Sequence, residues 1–352
     1  MHTVNPIEVG VLGGTGMVGQ HFVRFLQGHP WFKLTWLGAS DRSAGKRYSD
    51  ATAWRLEGDM PNTAADIVVA ECKPNGAPRV VFSAMDASVA GEIEREFAEA
   101  GHVVVSNSRN HRMERDVPLL VPEVNAGHLA LVRTQQRNRR WRGMIVTNPN
   151  CSTVVLTMAL APMVQFGIDR VIVTTMQAVS GAGYPGVSSL DILGNVVPFI
   201  GGEEEKMQQE TQKILGTLSD GQSVTPHAAR VSATCNRVPV ADGHTVSASV
   251  AFAKKPSLDE VRDALNAFRG APQEKKLPSA PAQPVVYMEQ QDRPQPRRDA
   301  ARDDGMTVTV GRLRECSVLD IKFLACGHNA VRGAAGAAVL NAELMISEGY
   351  LD

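Results

Sequence analysis

The sequence is short of several things, and each shortage closes off a class of protein. Aromatic residues make up 5% of its 352 positions, and formal charges nearly cancel, with 36 Lys and Arg against 37 Asp and Glu. A chain so balanced lacks the basic excess that draws nucleic acid or an anionic membrane surface, so neither is expected as a partner. The cysteines are five, at positions 72, 151, 235, 316 and 326. Their number is odd, no CxxC pair occurs, and no paired His/Cys spacing suggests zinc, so no metal site is expected. The apolar run 7–12 starts too near the N-terminus to leave room for a signal peptide, which points to free thiols in a reducing cytoplasm. Residues 143–168 carry no formal charge, but Asn148, Pro149, Asn150, Pro162 and Gln165 interrupt them. Strand, turn and buried helix are expected there rather than a membrane span. Internal repeats and low-complexity tails are absent too.

What is present is Gly- and Ala-rich, in a chain longer than one ordinary core accommodates, so two domains are expected. The first 150 residues alternate strands and helices: strand at 7–12, helix from 17 to about 28, strands at 34–39 and 80–84, an amphipathic helix at 89–100, and a strand at 103–106. That rhythm predicts a mostly parallel sheet covered by helices. Longer β-branched strands at 171–179 and 245–253, then a Ser-capped helix at 256–268, predict a separate α+β layer on an open mixed sheet. Residues 272–304, rich in Pro, Gln and charge, read as a surface excursion or subunit-contact loop, or else as a ligand contact, and residues 329–351 as one long closing helix. The fold class is therefore α/β, with domains expected at 1–150, 151–328 and a returning helix at 329–352.

Gly13, Gly14, Thr15, Gly16, Met17, Val18 and Gly19 follow the first strand and open a helix, satisfying GxGxxG. Glycine lets the turn take unusual dihedrals and lets a pyrophosphate approach the backbone, while the helix N-terminus offers free amides. A dinucleotide is the expected ligand of this Rossmann-type domain. After the second strand, Ser40, Arg42, Ser43 and Lys46 suit a 2′-phosphate and hence NADP. Asp41 complicates this, since a one-residue shift would put a carboxylate at a ribose diol.

Cys151 sits on a turn between an apolar strand and an apolar helix, in Asn148-Pro149-Asn150-Cys151-Ser152-Thr153. A helix N-terminus lowers a thiol pKa and supplies amides for an oxyanion, so a nucleophile is one reading and a buried cysteine beside a cap the other. Of nine histidines, His21, His29 and His128 look incidental, whereas His244 opens a strand from the turn Asp242-Gly243 and is expected to titrate near working pH. Arg237, in Asn236-Arg237-Val238-Pro239, offers a planar fork for a carboxylate or else a surface ion pair.

These segments, with Gln177-Ala178-Val179-Ser180-Gly181-Ala182-Gly183, resemble those of the aspartate-semialdehyde dehydrogenases. Ile200-Gly201-Gly202-Glu203-Glu204-Glu205-Lys206-Met207, Arg293-Pro294-Gln295-Pro296-Arg297 and Gly327-His328-Asn329 resemble the archaeal and fungal branch of that family, and the likeness runs in order over nearly the whole chain. It implies a glyceraldehyde-3-phosphate-dehydrogenase-like fold whose second domain is catalytic and dimerising, NADP as cofactor, and NADPH-dependent reduction of L-4-aspartyl phosphate to L-aspartate 4-semialdehyde. It implies Cys151 as nucleophile, Gln177 orienting the intermediate and His244 as general acid/base. It implies Arg237 on the substrate carboxylate, Glu203 on its amino group, and Arg112 with Lys206 on phosphate. Among Glu203, Glu204 and Glu205 the choice stays open, and the spacing of three to Lys206 favours Glu203. Ser83, Ser180, Gly181 and Asn329 would add cofactor contacts, and the chain would assemble as a homodimer or dimer of dimers. Asp86, where proline is common, Ala330, in place of a commoner Thr, and the basic segment 132–141 depart from the pattern. The rival readings are an acyl-coenzyme A reductase such as a malonyl-coenzyme A reductase on the same scaffold, and a non-catalytic dinucleotide sensor.

Overall fold

A computed structural model describes residues 6–351. The outermost residues of the expected first and last segments, 1–5 and 352, lie outside the described residues. In chain order the first layer is built from β1 (Ile7–Leu12), α1 (Met17–Phe25), β2 (Phe32–Ala39), β3 (Ala70–Glu71), β4 (Val80–Ser83), α2 (Ala87–Glu99), β5 (Val103–Ser106), α3 (Leu131–Arg139) and β6 (Met144–Thr147). Its strands form one parallel sheet ordered β3-β2-β1-β4-β5-β6, with the order reversing between β1 and β4. Ligands bind such sheets at that reversal, outside the strands' carboxyl ends. The core strands β4, β5 and β6 are buried at every residue, as a sheet covered on both faces requires.

The second layer holds α4 (Cys151–Leu160), β7 (Ile168–Gln177), α5 (Glu203–Ile214), β8 (Arg230–Arg237), β9 (His244–Phe252), α6 (Leu258–Ala267), β10 (Val285–Met288), β11 (Val308–Glu315) and β12 (Ile321–Gly327). A final helix, α7 (Ala335–Ser347), closes the chain. The second sheet runs β8-β7-β9-β12-β11-β10 and is mixed, with parallel pairs at both edges and antiparallel pairs between. Helix α4 is apolar on all sides and buried from Ser152 to Leu160, and Val154, Leu156 and Leu160 join Val173, Val246 and Phe323 in one core. Each such side chain removed from water contributes roughly 1.5–3 kcal/mol. The other face of the sheet stays open: burial alternates along β7, and Ile172 is 51% exposed.

Three expectations change. Residues 272–304 are not simply a surface loop, because Val285–Met288 pairs with β11 as an edge strand and Asp299 is fully buried beside Arg293. An apolar run of four residues was too short to read against so much Pro and Gln. The closing helix begins only at Ala335; residues 328–334 form a tight turn instead, fixed by fully buried Arg332, which grips Glu123 with both Nη atoms at 2.8 and 2.5 Å. The predicted strand at 171–179 likewise gives way after Gln177 to a short helical turn over Val179–Ala182.

Candidate active site

At the sheet reversal a cleft of about 770 Å³ opens between the two layers. Gly13, Thr15, Gly16, Met17 and Val18 line it from the turn after β1, Ser40 from the end of β2, and Ala84, Met85 and Asp86 from the end of β4. Gly13 has φ +73°, and a Cβ there would stand 2.8 Å from the Ala84 carbonyl, so only glycine serves. Gly16 caps α1 without any side chain, and a Cβ on it would meet nothing nearer than 3.5 Å. The space over those first amides is therefore open to a ligand, and the cleft fits a dinucleotide with its pyrophosphate on the turn. Gly14 and Gly19 lie behind the turn rather than on the cleft; the Gly14 carbonyl accepts a 2.9 Å bond from the buried Tyr48 hydroxyl.

Ser180, Gly181 and Asn329 also line the cleft, from the second layer. The Asn329 amide donates to Ser180 Oγ at 2.8 Å and accepts from the Gly243 amide at 2.9 Å, tying the loops together. Arg42, Ser43 and Lys46 share the turn that carries Ser40 but stand off the cleft wall. Ser83 is not on the wall either: its side chain is fully buried, where β4 packs under α2 beside Glu94. The Ser83 carbonyl accepts from Asn107 Nδ2 at 3.1 Å. Asp86 does what a proline there does not, capping α2 by accepting from the Ser88 amide at 2.9 Å. In the basic stretch 132–141, Arg139 pairs with Glu114 and Asp116 and lies over the Trp141 ring, while Arg133, Arg137 and Arg140 are exposed.

Cys151 is the first residue of α4 and forms the inner wall of the cleft. Asn150 caps the helix, its Oδ1 accepting from the Ser152 amide at 3.0 Å and the Thr153 amide at 3.3 Å. The expected lowering of the thiol pKa does not hold here. Burial pushes it up to about 12, helped by the Glu203 carboxylate, and the opposing cations Arg112 and Arg237 offset only part of that. Gly333, on the turn locked by Arg332, presses against the thiol's carbon: a Cβ there would lie 2.5 Å from Cys151 Cβ.

Beyond the thiol, strand ends converge. Gln177 ends β7 and is paired in register with Arg237, the end of β8, while His244 opens β9 opposite Gly327 at the end of β12. All three side chains are buried. Arg237 Nη1 donates to the Ala178 carbonyl at 2.8 Å. The Ala178 amide donates to His244 Nδ1 at 3.1 Å, which leaves the ring's proton on Nε2, an atom with no partner. Burial, reinforced by Arg237, lowers the His244 pKa to about 3, so the ring is neutral rather than poised near neutrality as expected. Gly181 is what lets these groups reach the cleft, because a Cβ on it would meet Arg237 Nη1 at 2.8 Å and His244 Nε2 at 2.9 Å.

Helix α5 supplies the charges. Glu203 takes Asn150 Nδ2 at 2.7 Å, Gln177 Nε2 at 3.3 Å and Lys206 Nζ at 2.7 Å. Burial alone would raise its pKa, but Lys206 and these bonds hold it below the usual carboxylate value. Glu204 faces elsewhere, accepting from the Cys235 amide at 3.0 Å, which leaves Glu203 as the acid beside the thiol. Arg112 lines the cleft and pairs with Glu210.

Comparison with known proteins decides the lineage. A family model for the NAD binding domain of semialdehyde dehydrogenases matches residues 8–132, and one for their dimerisation domain matches residues 160–332. An aspartate-semialdehyde dehydrogenase of Methanothermobacter thermautotrophicus is 52% identical over 344 residues, covering 96% of this chain and 99% of that protein. One from Schizosaccharomyces pombe is 49% identical over 355 residues, covering 98% and 99%. The chain belongs to the aspartate-semialdehyde dehydrogenase family. A crystal structure of the family's Candida albicans member with NADP superposes with a TM-score of 0.91 at 46% identity, covering 98% of this chain and 100% of that one.

For a member of this family, several residues at the cleft carried no warning in the sequence. Gly333, Asn107 and Arg55 line it, and the Arg55 guanidinium lies 3.7 Å from the centre of the Tyr184 ring across its mouth. Asn148 is the hub of a buried amide cluster, bonding Asn107, the Ala334 carbonyl and Asn341. Asparagines in loops are common, and nothing local marks one as a hub.

Proposed function

We propose that the chain reduces L-4-aspartyl phosphate to L-aspartate 4-semialdehyde with NADPH, releasing phosphate, through a thioester on Cys151. This is the shared step toward lysine, threonine and methionine. The observation that carries the reading is that Glu203 and Arg237 both act on the Cys151 thiol, with Gln177 bonded to Glu203 and His244 joined to Arg237 through the Ala178 backbone. NADPH, when bound along the glycine turn, supplies the hydride.

Cys151 forms the bond to the acyl carbon as the phosphate leaves. Its burial, only partly offset by Arg112 and Arg237, means that the thiol proton leaves as the C–S bond forms rather than beforehand. Arg237 holds the α-carboxylate with its fork and Glu203 the α-ammonium, and Gln177 steadies the tetrahedral oxygen. His244 presents its Nε2–H as a donor at rest. Pairing of Arg237 with a carboxylate removes a lesser one of the causes that depress the imidazole, burial being the largest. As general acid/base the ring takes the thiol proton when the C–S bond forms, its Nδ1 giving up the Ala178 amide. Arg112 and Lys206 take the phosphate, and Ser40, Arg42, Ser43 and Lys46 the 2′-phosphate that distinguishes NADP. Domain limits of 1–150, 151–328 and 329–352 accord with α7 packing on the first core. Among the described residues no helix is long and apolar enough to cross a membrane. We place the enzyme in the cytoplasm as a homodimer or dimer of dimers, a reading favoured by the open face of the second sheet and by the exposed Leu190, Leu193 and Phe199.

The test runs the reaction backwards: L-aspartate 4-semialdehyde, phosphate and NADP, with reduced cofactor followed by absorbance. Phosphate-dependent turnover is expected in the wild type and a loss of at least about 10⁴-fold in Cys151→Ala. Reduction of an acyl-coenzyme A thioester without that turnover would overturn the substrate, and cofactor binding without either would leave a sensor.

A further inference from the structure

Glu210 has no part in the chemistry just described, yet it is 2% exposed at the heart of the site. It follows Glu203 and Lys206 along α5 at positions that share one helical face, with Lys213 a turn further on. Its two oxygens are divided between two donors. Oε1 accepts from Arg112 Nη1 at 2.9 Å, and Oε2 accepts from the backbone amide of Asn150 at 2.6 Å. Asn150 is the cap that precedes the nucleophile, and its own side chain is occupied by Ser152, Thr153 and Glu203. Without Glu210 that buried amide has no acceptor. Arg112 is gripped elsewhere as well, Nη2 donating to the Asn107 carbonyl at 2.7 Å and its own carbonyl receiving Lys213 Nζ at 2.6 Å.

We infer that Glu210 is a positioning residue for the reaction, fixing Arg112 and the Cys151 turn to each other so that phosphate and thioester meet at a set distance. The inference rests on the reading of Arg112 as a phosphate ligand. Charge and length are both needed. Each partner is a donor, so an amide in place of the carboxylate turns an N–H toward one of them. Aspartate keeps the charge but is a methylene too short to span both.

The experiment measures KM for phosphate, KM for semialdehyde and kcat in the oxidative direction for Glu210→Gln, Glu210→Asp and Arg112→Leu, with thermal unfolding and the rate of Cys151 alkylation by iodoacetamide alongside. Expected is a phosphate KM raised at least tenfold in Glu210→Gln, with the semialdehyde KM within about twofold and an alkylation rate changed about fivefold or more, as a misplaced clamp predicts. The double variant Glu210→Gln/Arg112→Leu is expected to be no worse for phosphate than Arg112→Leu alone. If the amide does not fold, Glu210→Asp shows the same phosphate-specific loss; an aspartate variant with wild-type phosphate KM overturns the inference. So does a Glu210→Gln variant that loses thermal stability while all substrates suffer equally. Should Arg112→Leu leave phosphate KM unchanged, the phosphate reading of Arg112 falls and takes this inference with it. If it raises that KM and Glu210→Gln does not, the inference alone is wrong.

Discussion

The two ends of the cleft are built on opposite plans. The cofactor end is a run of contiguous small residues whose backbone amides face open space, with side chains set back. The chemical end draws charged side chains from β8 and α5 and the loop bearing Arg112, and nearly every one is already engaged: Glu203 with Lys206, Arg112 with Glu210, Arg237 with the Ala178 carbonyl. Among the described residues, His244 Nε2 and Arg112 Nε are buried there without a partner. A ligand that brings its own charge needs nothing more than free donors, so a local turn suffices. A substrate with a carboxylate, an ammonium and a phosphate must be met by opposite charges kept stable while it is absent, and buried charges without partners cost several kcal/mol each. Binding at the chemical end is therefore an exchange of partners for Glu203 and Arg237, with Arg112 kept in place by Glu210, and at the cofactor end an addition.

The contrast breaks most readily at two glycines. Gly181→Ala places a methyl against Arg237 and His244, and is expected to lower kcat/KM for the semialdehyde about 100-fold through displacement of both. Gly16→Ala meets no protein atom closer than 3.5 Å and is expected to raise the NADP dissociation constant roughly tenfold, by crowding the pyrophosphate, with Cys151 alkylation unchanged. Titration of NADP by intrinsic fluorescence separates them. If Gly181→Ala acts chiefly on NADP affinity, the two ends are one site and the distinction fails.

A smaller effect probes the cofactor end alone. Arg42 stands off the cleft wall on the turn that carries Ser40. Arg42→Ala is expected to cut the preference for NADP over NAD by about five- to tenfold, the value of one partly exposed charge-assisted bond. Equal kcat/KM ratios in variant and wild type would remove Arg42 from the 2′-phosphate.

How much of this was legible in the sequence follows the same division. The glycine turn and the Asn-Cys cap are local: the residues that make them are neighbours in the chain, and their dihedral and capping demands narrow the residue types. Strands β1 and β5 were legible at their ends because buried parallel strands are short apolar runs. The partners that hold the chemical end together lie 53, 98 and 209 residues apart in Asn150 with Glu203, Arg112 with Glu210 and Glu123 with Arg332, and no periodicity connects them. Ser83 illustrates the limit. The resemblance implies a cofactor contact there, but whether a strand-end serine faces the cleft or the helix beneath depends on the pleat, and here it faces inward. The thiol and imidazole pKa values went the same way: a helix N-terminus and a turn are visible in sequence, whereas burial, which outweighs them, belongs to the packed structure.

Burial leaves a last and smaller mark that compares the ends through stability. His21 lines the cofactor end and His244 the chemical end, and burial lowers their pKa values to about 4 and about 3. Between those values and the unfolded value near 6.5 the unfolded chain binds the extra proton, so each neutral ring contributes stability above pH 6.5 that is lost as pH falls. At pH 5.5 the loss is about 1 kcal/mol for each ring. His111, whose pKa Glu114 raises, works in the opposite sense and offsets part of it. Urea unfolding at pH 7.5 and 5.5 should give a wild-type difference that shrinks in His21→Gln and again in His244→Gln. If only His21→Gln flattens the slope, His244 already carries a proton in the resting enzyme. Burial and Arg237 would then fail to keep the ring neutral, and His244 would not be a neutral donor waiting for substrate charge.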